Sequence, residues 1–202
     1  MRLTLAHRSC RSVVLAVAIA LFPIPSASAQ TTSSAPPPVD DPFARRGWHI
    51  ELTAHGALET WNYNISHEEM LALVTGVSYG LGKGLVIKVE SPLYRVWQRG
   101  TDGYLFGLTW GVRSRVLRRP RWSLFWDVEV GISDSDTQVP PGGTRFNYVV
   151  LGGGGVSWRL APRLHALAGL RWVHVSNNSL AGRSRNPDIE AVGPILGVLV
   201  GF

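Results

Sequence analysis

His174 and Ser176 are two residues apart near the end of an apolar, strand-like run. In a β-strand both side chains point to the same face, with Cβ atoms about 6.6 Å apart at about 3.3 Å of rise per residue. An imidazole can close this gap and accept the hydroxyl proton, so the pair is a candidate for a base and its activated nucleophile. The same spacing is frequent by chance at ordinary strand ends, and the elements around it must therefore decide.

Apolar and polar side chains alternate with a period of two from Trp48 to the end of the chain. This period is typical of strands and not of helices. The alternation falls into eight segments of about ten residues, with short and long links alternating between them. The short links are 82–84, 117–121 and 161–162, the long ones are 60–70, 134–143 and 177–188, and the link at 98–102 is shorter than its place in the alternation requires. The pattern predicts an all-β fold, an eight-stranded antiparallel transmembrane β-barrel.

Aromatic residues favour the membrane version of this fold over a soluble sandwich or lipocalin-like barrel. The chain has eight tryptophans, several strands have Trp or Tyr near one end of the apolar face, and the last residue is Phe202, similar to the C-terminal aromatic of bacterial outer-membrane barrels. An eight-stranded barrel has an interior just wide enough for side chains. We therefore expect the polar-face charges to pair with one another and not to line a pore. They are Glu51, Lys88, Glu90, Arg113, Asp127, Glu129, Arg159 and Arg171.

The first 29 residues resemble a secretory signal peptide. Three arginines precede an apolar run at 13–22, and the sequence Ala-Ser-Ala follows it, so we expect cleavage after Ala29. The apolar run is too short to span a bilayer as a helix. Cys10, the only cysteine, would be removed with the signal, which leaves the mature chain without a disulfide or a cysteine ligand.

The remaining chain divides into two predicted parts. Residues 30–46 begin with a stretch rich in Thr, Ser and Pro, and we predict a flexible periplasmic leader; residues 47–202 are the predicted barrel of the outer membrane of a Gram-negative cell. Without the three arginines of the signal, 17 basic and 14 acidic residues remain, a net charge of +3. This small excess gives little support to a nucleic-acid partner.

Strand parity predicts which face carries the histidine and the serine. Arg171 belongs to the inward set of strand seven, so His174 and Ser176 should face outward with the apolar residues. On strand eight, Glu190 shares the outward face with bulky apolar residues, and small residues lie opposite. The loop 177–188 joins the two strands, so Ser176 and Glu190 flank one hairpin. If the short turns are periplasmic, this edge meets the lipopolysaccharide leaflet.

Three other clusters have simpler explanations. His49 and His55 share a strand face with Glu51, but they are about 20 Å apart, too far for one ion. The acidic residues at 134 and 136 are explained by a solvated loop better than by a calcium site. The glycines at 152–155 lack phosphate-loop spacing and a following helix, which favours a crowded or bent strand. We therefore predict no metal site and no cofactor.

The stretch His174-Val175-Ser176-Asn177, followed by Asn186-Pro187 and Glu190, resembles the motif of the lipid A 3-O-deacylase (PagL) family of outer-membrane acyloxyacyl hydrolases. The eight-strand outline extends the resemblance over most of the mature chain. The resemblance implies a serine esterase with lipid A of lipopolysaccharide as its substrate, Ser176 as nucleophile, His174 as general base and Glu190 as the residue that orients the imidazole. Asp188 follows Asn-Pro where we expect a small residue, commonly Gly, and it is the fallback third catalytic residue.

Supporting roles follow from the same chemistry. Asn177 is a candidate oxyanion donor, through its side chain or a nearby backbone N–H, although alternation points the side chain inward. Asn186 is expected to shape the loop with Pro187. Arg183 and Arg185, together with Arg99, could contact lipid A phosphates, or they could simply be solvated loop residues.

Two rivals stay open at this stage. The first is a non-enzymatic small barrel that anchors, adheres or binds a hydrophobic ligand. The second is a calcium-dependent outer-membrane phospholipase, which the strand count and the lack of a convincing ligand set disfavour. The sequence also leaves open a homodimer and the acyl chain that the enzyme prefers.

Overall fold

A computed structural model describes residues 41–61 and 67–202. The predicted signal peptide and residues 30–40 of the predicted leader lie outside this part. Each strand pairs antiparallel with the next, and β8 pairs with β1, so the sheet closes into a barrel. This confirms the predicted eight-stranded fold. The strands are β1 (Trp48–Glu59), β2 (Glu69–Gly82), β3 (Leu85–Trp97), β4 (Gly103–Arg118), β5 (Trp122–Ser135), β6 (Asn147–Ala161), β7 (Leu164–Ser176) and β8 (Ile189–Gly201).

The connections differ in length at the two ends of the barrel, as the sequence predicts. One end, the turn end, has the short links 83–84, 119–121 and 162–163, and the chain enters β1 there. The other end, the loop end, has the links 60–68, 98–102, 136–146 and 177–188. The last of these contains a short 3-10 helix, Arg183–Arg185. Within the described residues, no helix is long and apolar enough to cross a membrane.

Bulky apolar side chains cover the outside of the barrel. Trp110 and Leu108 on β4 and Trp126 and Val130 on β5 are each between 44 and 49 % exposed, and similar residues occupy the outward positions of the other strands. A continuous apolar surface of this size is typical of a lipid-exposed face and would be a liability in water. Aromatic residues lie near both ends, with Trp48 and Trp158 at the turn end and Trp97 and Tyr104 at the loop end.

The inside of the barrel holds a network of ion pairs. Lys88 Nζ lies 2.5 Å from a Glu90 oxygen and 3.0 Å from a Glu129 oxygen, and Arg171 Nη1 lies 3.0 Å from the other Glu90 oxygen. Arg113 bridges Glu51 and Asp127 in the same way. All seven side chains are buried, so each charge needs the others to offset its loss of hydration. The prediction of a pairing network is confirmed for these seven. It is wrong for Arg159, which lies at the turn-end rim because it is only two residues from the end of β6.

The segment 41–47 packs into the turn end and differs from the flexible leader predicted up to residue 46. Phe43 is 1 % exposed and lies 6.4 Å from the Phe125 ring, and the Arg46 N–H donates to the Gly80 carbonyl. Asp41 accepts two hydrogen bonds of 2.8 Å from Arg115. Burial alone would raise the pKa of Asp41, but these hydrogen bonds and the charges of Arg115 and Arg118 outweigh it and lower the pKa below its ordinary value of 3.8. The local sequence does not predict the packing of this segment, because Phe43 is buried by contacts with residues that are distant in sequence.

Two of the glycines at 152–155 sit where neighbouring strands come close. A Cβ on Gly153 would lie 2.5 Å from the Leu170 carbonyl oxygen, and one on Gly155 would clash with the Ala168 carbonyl oxygen. The interpretation of this run as a crowded strand is therefore confirmed. The crowding brings β6 tightly against β7, the strand that carries His174 and Ser176.

Candidate active site

Three side chains form a hydrogen-bonded chain on the outer surface of β7 and β8 at the loop end. His174 Nε2 lies 2.8 Å from Ser176 Oγ, and His174 Nδ1 lies 2.7 Å from Glu190 Oε1. A carboxylate oxygen can only accept, so Nδ1 carries the proton and Nε2 is free to accept from the serine hydroxyl. This is the tautomer that a general base needs.

Strand register brings these residues together. His174 is paired directly with Glu190 across β7 and β8, and outward-facing partners on neighbouring strands have Cβ atoms about 5 Å apart. Ser176 follows His174 on the same face, as the spacing of two predicts. Ser176 is the most buried of the three. Only 8 % of the residue is exposed, whereas the side chains of His174 and Glu190 are 23 and 19 % exposed.

Trp172 completes the row of outward side chains on β7. Its indole Nε1–H donates to Glu190 Oε2 over 2.6 Å, and its ring stacks on that of His174 with centroids 6.0 Å apart and planes inclined by 24°. The two carboxylate oxygens of Glu190 therefore have separate donors, Trp172 on one and His174 on the other. Because rotation of the carboxylate would break both bonds, Trp172 fixes the oxygen that faces the imidazole.

The start of β8 is also held from the other side. The backbone N–H and the hydroxyl of Thr60 both donate to the Glu190 carbonyl, over 2.8 and 3.0 Å. The backbone that carries Glu190 is thus tied to the end of β1 as well as to β7. A fixed backbone keeps the carboxylate at hydrogen-bond distance from the imidazole.

Asn177 lies inside the barrel, as alternation predicts, and is 1 % exposed. Its Nδ2 donates to the Arg185 carbonyl over 2.5 Å and to Thr144 Oγ1 over 3.0 Å. These contacts join the loop 177–188 to the loop 136–146, and Arg185 Nη2 donates weakly to the Gly143 carbonyl at 3.4 Å. In this conformation the side-chain amide supports the loop, and an oxyanion role is left to backbone N–H groups.

The turn after Ser176 has an unusual backbone. Asn178 and Ser179 have φ angles of +51° and +62°, a region that residues with a Cβ seldom adopt. The turn is closed by a hydrogen bond of 3.1 Å from the Leu180 N–H to the Asn177 carbonyl. Strained backbone next to a reactive side chain is a recurrent feature of functional sites, although it also occurs in tight turns.

The remaining predicted residues surround this centre at different distances. Arg183 and Arg185 are exposed on the loop. Asn186 is partly buried, with its backbone N–H 3.4 Å from the Arg183 carbonyl, and its Oδ1 is a buried atom without a hydrogen-bond partner among the described residues. Arg99 is exposed near the start of the β3–β4 link.

Asp188 lies close to the centre without being the acid on the imidazole. His174, Asp188 and Glu190 each offer one ligand atom, and these atoms lie within 4.8 Å of one another, so the group could hold a metal ion. The sequence pattern did not indicate this group, and the absence of a metal site stays a prediction. An ion bound by His174 Nδ1 would displace the hydrogen bond from Nδ1–H to Glu190. A metal site and an esterase site are therefore mutually exclusive at these atoms.

Trp172 and Thr60 were not among the predicted site residues. Trp172 stands two residues before His174 on the same face, and the question of what satisfies the second oxygen of Glu190 would have identified it. Thr60 acts through its contact with a backbone carbonyl 130 residues away, and no local pattern signals such a contact.

No protein-family model matches this chain, and no curated protein matches its sequence. The fold is similar to solved outer-membrane barrels. Neisserial surface protein A matches with a TM-score of 0.60 and 14 % identity over 77 % of this chain and 97 % of that one. The outer membrane protein OprG from Pseudomonas aeruginosa matches with a TM-score of 0.50 and 10 % identity over 81 % of this chain and 99 % of that one. At these identities the similarity establishes the fold, that of a small outer-membrane β-barrel.

Proposed function

We propose that the protein is an outer-membrane esterase that hydrolyses the 3-O-linked acyl chain of lipid A, in the manner of the lipid A 3-O-deacylase family. The observation that carries the proposal is the chain of hydrogen bonds from Ser176 through His174 to Glu190, with distances of 2.8 and 2.7 Å, on the outward face of the barrel. A structural role does not require these three residue types in this order at a lipid-facing position, where polar groups cost free energy.

The reaction follows from the two hydrogen bonds. Ser176 Oγ attacks the ester carbonyl carbon as its proton passes to His174 Nε2, and Glu190 stabilises the imidazolium that forms. The tetrahedral intermediate collapses, the C–O bond to the lipid A sugar breaks, and His174 returns the proton to the leaving oxygen. Water then attacks the acyl-serine with the same base, which releases the hydroxy fatty acid and restores Ser176.

The substrate assignment rests on where the three side chains lie. His174 and Glu190 are partly exposed at the loop end, with Ser176 more deeply buried beside them, and an apolar surface on which acyl chains can lie adjoins them, so a water-soluble ester is a poor fit. If the turn end is periplasmic, the loop end lies in the lipopolysaccharide leaflet. Arg183 and Arg185 are at the same end and could contact the lipid A phosphates.

Two features support the remaining steps. Trp172 holds Glu190 in the orientation that His174 needs, and we assign it as a positioning residue. The backbone N–H groups of the turn at 177–179, rather than the Asn177 amide, are the expected donors to the oxyanion, because the amide is already bonded to Arg185 and Thr144.

The test is mass spectrometry of lipid A from cells that express the wild-type protein or Ser176→Ala at equal levels in the outer membrane. Wild-type protein should remove one hydroxy acyl chain and the variant none. If both remove the same chain, or neither does, the proposal fails. Ser184→Ala, a change on the exposed 3-10 helix of the same loop and outside the hydrogen-bonded chain, is the matched control and should keep most of the activity.

The rival is a non-enzymatic barrel that anchors, adheres or binds a hydrophobic ligand. Its support is the similarity to barrels named as a surface protein and an outer membrane protein. It predicts that His174, Ser176 and Glu190 can be replaced together without loss of function and that a serine-reactive probe labels nothing.

A further inference from the structure

The turn end of the barrel is strongly basic. Nine Arg and Lys side chains lie there, against one acidic side chain, Asp41, among the described residues. The basic residues are Arg45, Arg46, Lys83, Arg115, Arg118, Arg119, Arg121, Arg159 and Arg163. Asp41 is already engaged with Arg115 and Arg118. Within residues 41–61 and 67–202, no carboxylate forms an ion pair with Arg121 or Arg159, so the charge of these two side chains is available to an external anion.

Backbone pairing fixes Arg121 and Arg159 side by side. The Arg159 N–H donates to the Arg121 carbonyl over 2.8 Å, and Trp122 and Trp158 are direct partners in the β5–β6 register. The β4–β5 turn is closed by a second hydrogen bond of 2.8 Å, from the Arg119 N–H to the Trp122 carbonyl. Two guanidinium groups held on adjacent strands can bind one phosphate with little loss of backbone entropy.

Two open clefts share these arginines and differ in character. The first, of about 200 Å³, has a mixed lining that includes Ser123 and Ser157 and also Asp41, whose carboxylate is already paired with Arg115 and Arg118. The second, of about 580 Å³, is lined by Arg121 and Arg159 together with Trp158, Leu160, Ala161 and Pro162. Trp158 and Leu160 belong to the outward apolar surface and are 47 and 58 % exposed. A cleft that contains serine hydroxyls and a more apolar cleft meet at this pair of arginines, and together they fit an amphipathic ligand better than a free anion.

We propose that the turn-end clefts bind one anionic phospholipid of the surrounding leaflet. Its phosphate lies between Arg121 and Arg159, its headgroup hydroxyls lie toward Ser123 and Ser157, and an acyl chain runs along Trp158 and Leu160. The apolar cleft is the reason to prefer a lipid to inorganic phosphate, since a free anion would leave that surface without a ligand. The site is at the opposite end of the barrel from Ser176, and it requires a membrane-embedded barrel but not the esterase activity.

The test is native mass spectrometry of the purified protein in detergent, with phosphatidylglycerol or phosphatidylcholine added in equal amounts. The wild-type protein should retain phosphatidylglycerol and release phosphatidylcholine. Arg121→Gln/Arg159→Gln should lower the retained fraction about tenfold, equivalent to about 1.4 kcal/mol. The matched control is Arg45→Gln/Lys83→Gln. It removes the same charge from the same end of the barrel, but neither residue lines either cleft, so retention should be nearly unchanged.

Three results would overturn the proposal. Equal retention of the two lipids would remove the requirement for an anionic headgroup, and an equal loss in the two double variants would reduce the effect to net charge. Displacement of the lipid by inorganic phosphate in moderate excess would indicate a free-anion site without use of the apolar cleft. If the glutamine variant does not fold, as judged by heat-modifiable gel migration, Arg121→Lys/Arg159→Lys replaces it. The lysine variant keeps the charge and loses the forked geometry, and it should still lower retention.

Discussion

Replacement of Glu190 by glutamine tests how the carboxylate directs the imidazole. In the wild-type protein Glu190 Oε2 accepts from Trp172 Nε1–H over 2.6 Å and Oε1 accepts from His174 Nδ1–H over 2.7 Å. Glutamine has only one oxygen, and the indole N–H can only donate. The glutamine oxygen must therefore face Trp172, and its NH₂ group faces His174 Nδ1.

This orientation forces the wrong tautomer on the imidazole. A donor opposite Nδ1 requires Nδ1 to be unprotonated, so the proton moves to Nε2, the atom 2.8 Å from Ser176 Oγ. Nε2 then has no lone pair for the serine proton. Loss of the working tautomer in a serine hydrolase triad lowers kcat by about 10⁴, equivalent to about 5.4 kcal/mol of barrier. We expect kcat to fall by this order in Glu190→Gln, with KM nearly unchanged.

A second change, at Trp172, should reverse the orientation of the glutamine amide. Trp172→Phe alone removes a hydrogen bond to a charged group, worth about 1.5 kcal/mol at the low end, and should lower kcat about tenfold. In Glu190→Gln/Trp172→Phe, however, nothing dictates the amide orientation, so the oxygen can turn toward Nδ1–H and the working tautomer returns. The double variant should be about tenfold more active than Glu190→Gln, although each single change is harmful.

The assay is the initial rate of hydroxy fatty acid release from purified lipid A in mixed micelles, with folded protein quantified by heat-modifiable migration. Trp126→Phe, at an outward position of β5, controls for loss of an indole from the lipid-facing surface and should be silent. A Glu190→Gln rate within about tenfold of wild type, or a double variant slower than Glu190→Gln, would refute the tautomer switch.

Three further predictions concern other parts of the molecule. Asp188→Asn should lower kcat less than about threefold, and chelators should have no effect, because Glu190 and not Asp188 accepts from the imidazole; loss of activity in both experiments would favour a metal at this group. Lys88→Met should lower the free energy of unfolding in detergent by about 3–5 kcal/mol, since it leaves buried carboxylates without their cation, and a urea titration that gives less than about 1 kcal/mol would contradict this. Asp41→Asn should increase proteolysis of the segment 41–47 at neutral pH. The folded-state pKa of Asp41 is depressed, so its contribution is present above the unfolded-state value and is lost as the pH falls through the lower folded-state value; the difference between variant and wild type should therefore vanish in strong acid, and a difference that grows there would refute the ion pair.

Much of the fold could be predicted because strand alternation and link lengths are local properties of the sequence. Alternation of period two and the lengths of the links gave eight strands, and Arg171 on β7 gave the correct inside and outside for His174 and Ser176. The prediction failed at Arg159 and at residues 41–46. Both lie at the turn end. There the alternation of inward and outward side chains no longer predicts burial, because burial depends on which distant residues pack over that end of the barrel.

The sequence by itself determined the barrel, the parity of its faces and the shared face of His174 and Ser176, because side-chain direction in a strand depends only on position along the chain. The β7–β8 register was decided by the tertiary structure, and with it the choice of Glu190 over Asp188 as the acid on the imidazole, since a shift of two residues would place Asp188 opposite His174. The second hydrogen bond of Glu190, to Trp172, and the pairing of Arg121 with Arg159 were likewise decided there. These contacts depend on how neighbouring strands are placed relative to one another, and no pattern along a single strand contains that information.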